Sequence, residues 1–203
     1  MTKLRQLLTD LLITGYTFFR VKQSSSGTNI EIEVLNPLNT FVDRNPDSPY
    51  VRNSYRAVVR KWMTKGQILA KYGKELSKED LVTLKKEWQS DNATYKKMYM
   101  DSCSPTMVEP DRNTPPGYPA DSFHRYELLP VYDVEWIETD KDFVMQRYNT
   151  IRVGQSIYIL RGLDKNVIRS KDNPNFCTLT VNGVYFLNRS QEPYSLILKC
   201  AHL

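Results

Sequence analysis

The sequence has few of the residues that enzymes and secreted proteins use for chemistry. Its 203 residues include two histidines and three cysteines, and the cysteines lie far apart, at Cys103, Cys177 and Cys200. An odd number of widely spaced cysteines without a CxxC pair argues against a disulfide framework and a zinc site, and it fits a reducing cytoplasm. The eight glycines are scattered singly, so neither a P-loop nor a GxGxxG phosphate-binding loop is present.

Long apolar runs are also missing. No segment approaches the roughly 20 apolar residues that a membrane-spanning helix needs, and the first residues lack the apolar run and cleavage site of a signal peptide. We therefore expect a soluble protein that is not secreted by this route. With 40% hydrophobic and 25% charged residues, the composition is that of an ordinary globular chain.

The chain is rich in tyrosine, and its charge is unevenly distributed. There are 13 tyrosines, and the formal net charge is +5. Residues 51–75 are strongly basic, residues 133–142 are acidic, and residues 145–171 are basic again. Blocks of alternating sign are typical of surfaces that meet complementary surfaces, or of proteins near polyanions. Ordinary solvated faces are the alternative explanation of any one block.

The first part of the chain predicts a helix followed by a hairpin. Residues 4–12 carry an apolar stripe at helical spacing, of the kind that is buried, and Gly15 suits the helix end. Residues 16–22 and 28–35 alternate with a period of two and flank a Ser/Gly turn, which predicts a β-hairpin. The chain both opens and closes on an apolar segment, from which we expect a piece of a longer protein.

The middle of the chain predicts one further strand and two short helices. The strand is expected at residues 55–62, and the helices begin at the capping residues Thr64 and Ser77. A Pro-rich stretch without periodicity follows, which predicts a long irregular loop or linker. The predicted segments are an α+β segment at 1–89, the Pro-rich loop at 90–122 and a β-rich segment at 123–203.

The last segment predicts mostly antiparallel strands, which makes the fold class α+β. Tyr132, Val134 and Trp136 alternate with Asp133 and Glu135, so the two sets occupy opposite faces of one strand. Two more strands are expected around Gly154. A second hairpin is predicted at Asn182-Gly183, the strongest hairpin signal in the sequence.

No catalytic constellation emerges from these elements. A Ser/His/Asp triad would depend on His124 or His202, neither of which stands in a recognisable motif. A metal-dependent nuclease would use Asp133 and Glu135 on one strand face. The nuclease pattern also has a lysine two positions after the glutamate, and here that position is Ile137. The ordinary interpretation of this pair is the acidic outer face of an antiparallel strand. We therefore expect a protein that is not an enzyme and has no metal or cofactor.

A nucleic-acid-binding β-rich module is an alternative that the basic, aromatic-rich composition suggests. Strand positions with aromatic and basic side chains would supply the stacking and the phosphate contacts. The residues considered for such a platform are Phe18, Arg20, Tyr158, Arg161, Tyr185 and Arg189. Nothing in their spacing singles them out, since apolar strand faces explain the aromatic residues equally well.

The order of features resembles the wing region of tailed-phage portal proteins, especially the podovirus-type and crAss-like ones. The matching motifs are LLITG at 11–15, NPLNTFVD at 36–43, RKWMT at 60–64 and AKYG at 70–73. A strand-rich stretch at 162–195 that runs into PYS is similar to the family's second wing segment. The resemblance covers roughly half of the chain. Neither the stem helix, the clip nor the crown of a portal is found, which again indicates a wing-region fragment.

The resemblance implies a structural subunit of the portal, the head-to-tail connector at one capsid vertex of the virion. Such a protein assembles in the host cytoplasm as a homo-oligomeric ring, a dodecamer, and it is not a membrane protein. The implied partners are the major capsid protein, the terminase, the tail adaptor and the double-stranded DNA that passes through the complete ring. Another virion or adaptor protein is the alternative within the same class.

A cyclic ring joins one face of each subunit to a different face of the next. The two charge blocks suggest which residues meet there. We expect Arg56, Arg60 and Lys61 of one subunit to contact Asp133 and Glu135 of its neighbour, so that changing the three basic residues to Glu prevents ring assembly.

Overall fold

The computed structural model describes residues 2–23, 29–89, 97–99, 126–164, 167, 169, 171–189 and 191–201. The fold is α+β, as predicted, with an N-terminal helix, short further helices and antiparallel β-sheets. The helices are α1 (Thr2–Thr14), α2 (Lys65–Tyr72), α3 (Lys78–Gln89) and α4 (Leu196–Ala201). The strands are β1 (Tyr16–Gln23), β2 (Ile30–Leu35), β3 (Thr40–Asp43), β4 (Arg56–Met63), β5 (Lys97–Tyr99), β6 (Tyr126–Thr139), β7 (Met145–Val153), β8 (Ile157–Leu163) and β9 (Val181–Tyr185).

The strands form two sheets. The three-stranded sheet has the order β2-β1-β9, and the six-stranded sheet has the order β3-β4-β6-β7-β8, with β5 paired to β6. The predicted hairpin of β1 and β2 is confirmed, with Val21 opposite Ile32 in an antiparallel register. Its turn, like most of the Pro-rich stretch 90–122, lies outside the described residues; within that stretch Lys97–Tyr99 pairs with β6 as strand β5.

The prediction of a hairpin turn at Asn182-Gly183 is wrong. Both residues lie inside the single strand β9, which pairs antiparallel with β1 and places Gly183 opposite Phe18. A Cβ atom at position 183 would lie 2.0 Å from the backbone oxygen of Thr17 and 3.0 Å from Val51. The glycine is therefore explained by the close approach of two backbones and not by turn geometry.

Contacts divide the chain into two compact units. The first consists of residues 1–61, 132–152 and 158–203, and the second of residues 62–131 and 153–157. The first unit takes in residues from both predicted segments 1–89 and 123–203, because β9 pairs with β1.

The first unit has a core between its strands. Phe18 of β1 and Val181 of β9 belong to it, together with Ala57 and Val59 of β4. The half-buried side chain of Ile137 on β6 packs against this cluster. The core therefore defines an inner side for β4 and β6, to which their alternate residues point.

The second unit buries side chains of its two helices, including Ile68, Tyr72 and Leu84. The predicted helix starts are confirmed. The Thr64 side chain accepts a hydrogen bond from the Gln67 amide while the Gln67 side chain accepts one from the Thr64 amide, which is a complete capping box.

Candidate interaction surfaces

Lys61, one of the predicted interface residues, pairs with a carboxylate of its own chain. Its Nζ atom lies 2.6 Å from Glu33 Oε1, and Lys22 Nζ lies 2.5 Å from Glu33 Oε2. Partial burial raises the pKa of Glu33, but the hydrogen bonds and charges of the two lysines outweigh burial and lower this pKa from 4.5 to about 2. Glu33 is thus held ionised by two cations.

Asp133 and Glu135 hold a buried arginine of β1. The guanidinium of Arg20 donates a hydrogen bond to Asp133, and its second Nη atom lies 3.8 Å from Glu135 Oε1. Glu135 is only 3% exposed, and its carboxylate also accepts the backbone amides of Thr180 and Val181 and the Thr180 hydroxyl. Burial lowers the pKa of Arg20, and the charges of Asp133 and Glu135 more than restore it, so the net direction is upward.

Arg56 and Arg60 lie on the opposite side of β4 from the core. The exposed Arg56 pairs with Asp43 at 3.4 Å across the β3–β4 ladder. Two guanidinium nitrogens of Arg60 donate to Asn39 Oδ1 at 2.9 and 3.1 Å, and the guanidinium lies 5.4 Å from the centre of the Phe41 ring.

The five predicted interface residues are therefore split between the two sides of the six-stranded sheet. Lys61, Asp133 and Glu135 point toward the interior and pair within the chain, while Arg56 and Arg60 remain on the surface. The interior location has a physical cause, since Arg20 needs carboxylates inside the fold. The pairing of the two charge blocks between subunits stays a prediction, and of its five residues Arg56 and Arg60 lie on the surface side of β4.

The pairing of Asp133 and Glu135 with Arg20 also argues against the nuclease alternative. Asp133 and Glu135 do lie on one face of β6, but Arg20 occupies the space between their carboxylates where a metal would bind. Among the described residues no three His, Cys, Asp or Glu side chains are grouped so as to hold a metal ion. The predicted stacking platform is likewise not formed, because Phe18, Arg20 and Tyr185 are buried.

A different aromatic surface is present on the six-stranded sheet. Ala57, Glu135, Ile151 and Ile159 are buried on successive strands, so the residues that alternate with them face away from the core. We call this side the outer face. Within the first unit it carries Phe41, Asp43, Arg56, Val58, Arg60, Tyr132, Val134, Trp136, Glu138, Gln146, Tyr148, Thr150, Arg152 and Tyr158.

The rings of the outer face are arranged in contact with one another and with an arginine. Trp136 of β6 stacks on Tyr148 of β7, with ring centroids 5.7 Å apart and planes 19° from parallel. The guanidinium of Arg152 lies 5.6 Å from the centre of the Tyr132 ring and 5.7 Å from that of Tyr158. The sequence predicts the alternation along β6, but the expectation that Asp133 and Glu135 form an acidic outer face is wrong, because both carboxylates pair with the buried Arg20.

Helix α1 forms the second notable surface. Its predicted apolar stripe exists, and Gly15 ends the helix with φ +82°, but none of its residues is buried. Leu4 is 65% exposed and Leu8 is 56% exposed, while Ile197 of the neighbouring α4 is also exposed. A stripe of this kind normally faces a core, whereas the leucines of α1 are half-buried or exposed among the described residues.

No protein-family model matches the chain, and no curated protein matches it. In the part of the chain that the structure describes, no helix has both the length and the apolarity needed to cross a membrane.

Proposed function

We propose that this chain is part of a structural subunit of a tailed-phage portal, the homo-oligomeric ring at one capsid vertex through which DNA is packaged and ejected. In this role the chain carries no catalytic site and holds no cofactor. Its partners are copies of itself, the major capsid protein, the terminase and the tail adaptor.

The observation that carries the proposal is the apolar surface of α1. A helix of 13 residues with an apolar stripe and no buried residue leaves leucines in contact with water. Covering a leucine side chain contributes about 1.5–3 kcal/mol, so α1 gains stability when another surface covers it. Exposed apolar patches of this sort are typical of assembly proteins.

The order of elements also supports the proposal. A helix that ends at Gly15 is followed by a hairpin, by the short 3-10 helix Pro37–Asn39, and by β3, β4 and α2. Asn36 caps that 3-10 helix by accepting the Leu38 amide at 2.9 Å. The resemblance to the portal wing rests on these elements.

The proposal is tested by locating the chain in virus particles. Antibodies raised against the purified chain are labelled with gold and applied to opened particles of the virus that encodes it. We expect the label at a single vertex of each capsid. Label over the whole shell, along the tail or absent from particles contradicts the proposal, and label on the tail would instead favour another virion or adaptor protein.

The role of α1 is tested in the same particles. Leu4→Gln with Leu8→Gln removes two exposed apolar side chains of α1, and we expect the vertex label to disappear. The matched control is Leu81→Gln with Val82→Gln, which removes two exposed apolar side chains of α3 and should leave the label in place. Equal behaviour of the two variants would contradict a specific contact at α1.

A further inference from the structure

The turn between β6 and β7 presents Phe143 to solvent in an unusual backbone conformation. The Phe143 amide donates to the Asp140 carbonyl at 3.0 Å, and the Asp140 amide donates to the Val144 carbonyl at 2.9 Å. Phe143 has φ +58°, in the left-handed region, and its side chain is 82% exposed. Left-handed backbone is unfavourable for a bulky residue, and a ring in water gains nothing from burial. Phe143 therefore carries two costs in the isolated chain.

The next turn of the same sheet has a more favourable residue at this position. Between β7 and β8 the left-handed residue is Gly154, with φ +59°. Glycine adopts this conformation without steric strain, and asparagine tolerates it. Residues that oppose the preference of their own backbone are typical of functional positions. The exposed ring of Phe143 is therefore suited to a contact with a partner.

The tip of the β6–β7 hairpin, which we define as residues 138–143, is acidic. Its charged residues are Glu138, Asp140, Lys141 and Asp142. The Lys141 amide donates to Asp140 Oδ1 at 2.7 Å, and an indole of β6 donates to Glu138 at 2.9 Å. Both donors are neutral groups, so these hydrogen bonds leave the negative charge of the tip in place. A partner surface that combines apolar side chains with positive charge fits the tip best.

The exposed surface of α1 combines these two properties. Leu4 and Leu8 are one helical turn apart, so their exposed side chains adjoin on one face. The charged residues of α1 are Lys3, Arg5 and Asp10. Lys3 pairs with Glu31 at 3.2 Å and Asp10 is half-buried, while Arg5 is exposed within one turn of Leu8. The surface thus offers two apolar side chains beside a cation.

The tip and α1 fit each other better than either fits itself. They do not meet within one chain, because Phe143, Leu4 and Leu8 are all exposed. Two tips would bring carboxylates together, and two copies of α1 would bring their arginines together, which is unfavourable. A tip against α1 instead joins opposite charges and covers apolar side chains on both sides. Such a contact joins two different surfaces of the chain, so it can repeat from copy to copy.

We propose that the tip of the β6–β7 hairpin binds α1 of a second copy of the chain. The ring of Phe143 covers Leu4 and Leu8, and the carboxylate of Asp142 pairs with Arg5. Burial of the ring offsets the unfavourable backbone of Phe143. This inference rests on the proposed function in that copies of the chain assemble with one another, and it names the surface that covers α1.

The contact is mapped by crosslinking the full chain. p-Benzoylphenylalanine at position 143 keeps an aromatic ring at the tip and reacts with nearby C–H bonds on irradiation. We expect dimers and longer oligomers, in which mass spectrometry joins position 143 to the tryptic peptide 6–20 that contains Leu8. The same amino acid in place of the exposed Leu38 should not crosslink to that peptide. Crosslinks from position 143 that avoid α1 would overturn the inference.

Sedimentation equilibrium measures the strength of the contact, and wild type should self-associate as its concentration rises. Phe143→Asn should weaken this association at least about tenfold, since truncating an aromatic anchor typically costs that much. The same variant should raise the urea midpoint of the monomer, because asparagine tolerates the left-handed backbone. Leu38→Asn removes an exposed apolar side chain outside the contact and should leave the association unchanged.

Charge reversal tests the ion pair between copies. Asp142→Arg and Arg5→Glu should each weaken the association, because each brings like charges together. A chain that carries both changes should recover it, since the pair is then restored with the opposite polarity. A double variant as weak as the single ones would contradict the pairing of these two residues.

Two further results would overturn the inference. One is a wild-type chain that stays monomeric as its concentration rises, and the other is an equal effect of Phe143→Asn and Leu38→Asn on association. The proposed function fails separately. Gold label away from a single vertex contradicts the portal role even where copies associate through the tip, while label at one vertex with crosslinks that avoid α1 overturns the contact alone.

Discussion

The Thr180 hydroxyl donates a hydrogen bond of 2.6 Å to the carboxylate of Glu135, although 45 residues separate the two in the chain. The same carboxylate accepts the Thr180 and Val181 amides at 3.1 and 2.9 Å. Glu135 thus ties the segment that begins β9 to the middle of β6, while its charge balances that of Arg20. Glu135 therefore joins β6 to the start of β9 through hydrogen bonds and charge, where a purely hydrophobic strand would use an apolar side chain.

Glu135→Gln should lower the free energy of unfolding by about 3 kcal/mol, because removing one partner leaves the buried charge of Arg20 undercompensated. Urea denaturation followed by circular dichroism measures the loss. Glu138→Gln is the matched control, since Glu138 lies three residues along the same strand and is exposed, and it should change stability by less than about 0.5 kcal/mol. Similar losses in both variants would contradict the structural role of Glu135.

Gly183→Ala should destabilise the first unit strongly, by about 3 kcal/mol or more, because the new Cβ atom would overlap the Thr17 backbone. Gly66→Ala provides the contrast. Nothing lies within 4 Å of a Cβ atom at position 66, and alanine favours the helix α2. That change should raise stability by up to about 1 kcal/mol. Both effects are measured as shifts of the urea midpoint, and opposite signs are the expected result.

Glu33 should make stability depend on pH in the acidic range. Its pKa is lowered from 4.5 to about 2 in the folded chain, so the folded state favours the ionised form. This contribution is fully present above pH 4.5 and is lost as the pH falls toward 2. Wild type and Glu33→Gln are compared by urea denaturation from pH 6 to pH 2.5, where their stabilities should converge on acidification. A constant difference across this range would contradict the lysine pairing.

Cys177 should react slowly with thiol reagents in the native protein. Its side chain is buried, and burial raises the pKa of its thiol above the usual value against the opposing charges of Arg169 and Arg147, which disfavours the reactive thiolate. Cys200 is exposed and should react readily. In a Cys103→Ser background, a chromogenic disulfide reagent should therefore titrate one thiol quickly and a second one only on unfolding. Two fast thiols in the folded chain would contradict the burial of Cys177.

Local patterns in the sequence were sufficient to predict the helix ends and the first hairpin. The capping box of Thr64 and Gln67 and the hairpin of β1 and β2 depend on residues close together in the chain, and both are confirmed. The Asn182-Gly183 prediction failed because a long-range neighbour decided the outcome. Thr17 approaches Gly183 from 166 positions away, and no local pattern carries that information.

Which face of β6 is buried also depends on a residue far away in the sequence. Alternation correctly placed Trp136 and Glu135 on opposite faces, but charge alone suggested that the carboxylate faces water. The deciding partner is Arg20 on a different sheet, which makes an inward carboxylate favourable and leaves the indole on the outer face. Periodicity therefore predicts which residues share a side of a strand, and the partner across the core determines which side is buried.

The position of β1 between β2 and β9 has a consequence for synthesis on the ribosome. The hairpin is complete at Leu35, yet the strand that covers its other edge ends only at Tyr185. At about 5–20 residues per second, the open edge of β1 waits roughly 8–30 s for its partner. During this interval the β9 segment of a neighbouring nascent chain is an equally good match. Polysomes that crowd such chains together therefore favour strand exchange between copies, and slower initiation should yield more correctly folded monomer.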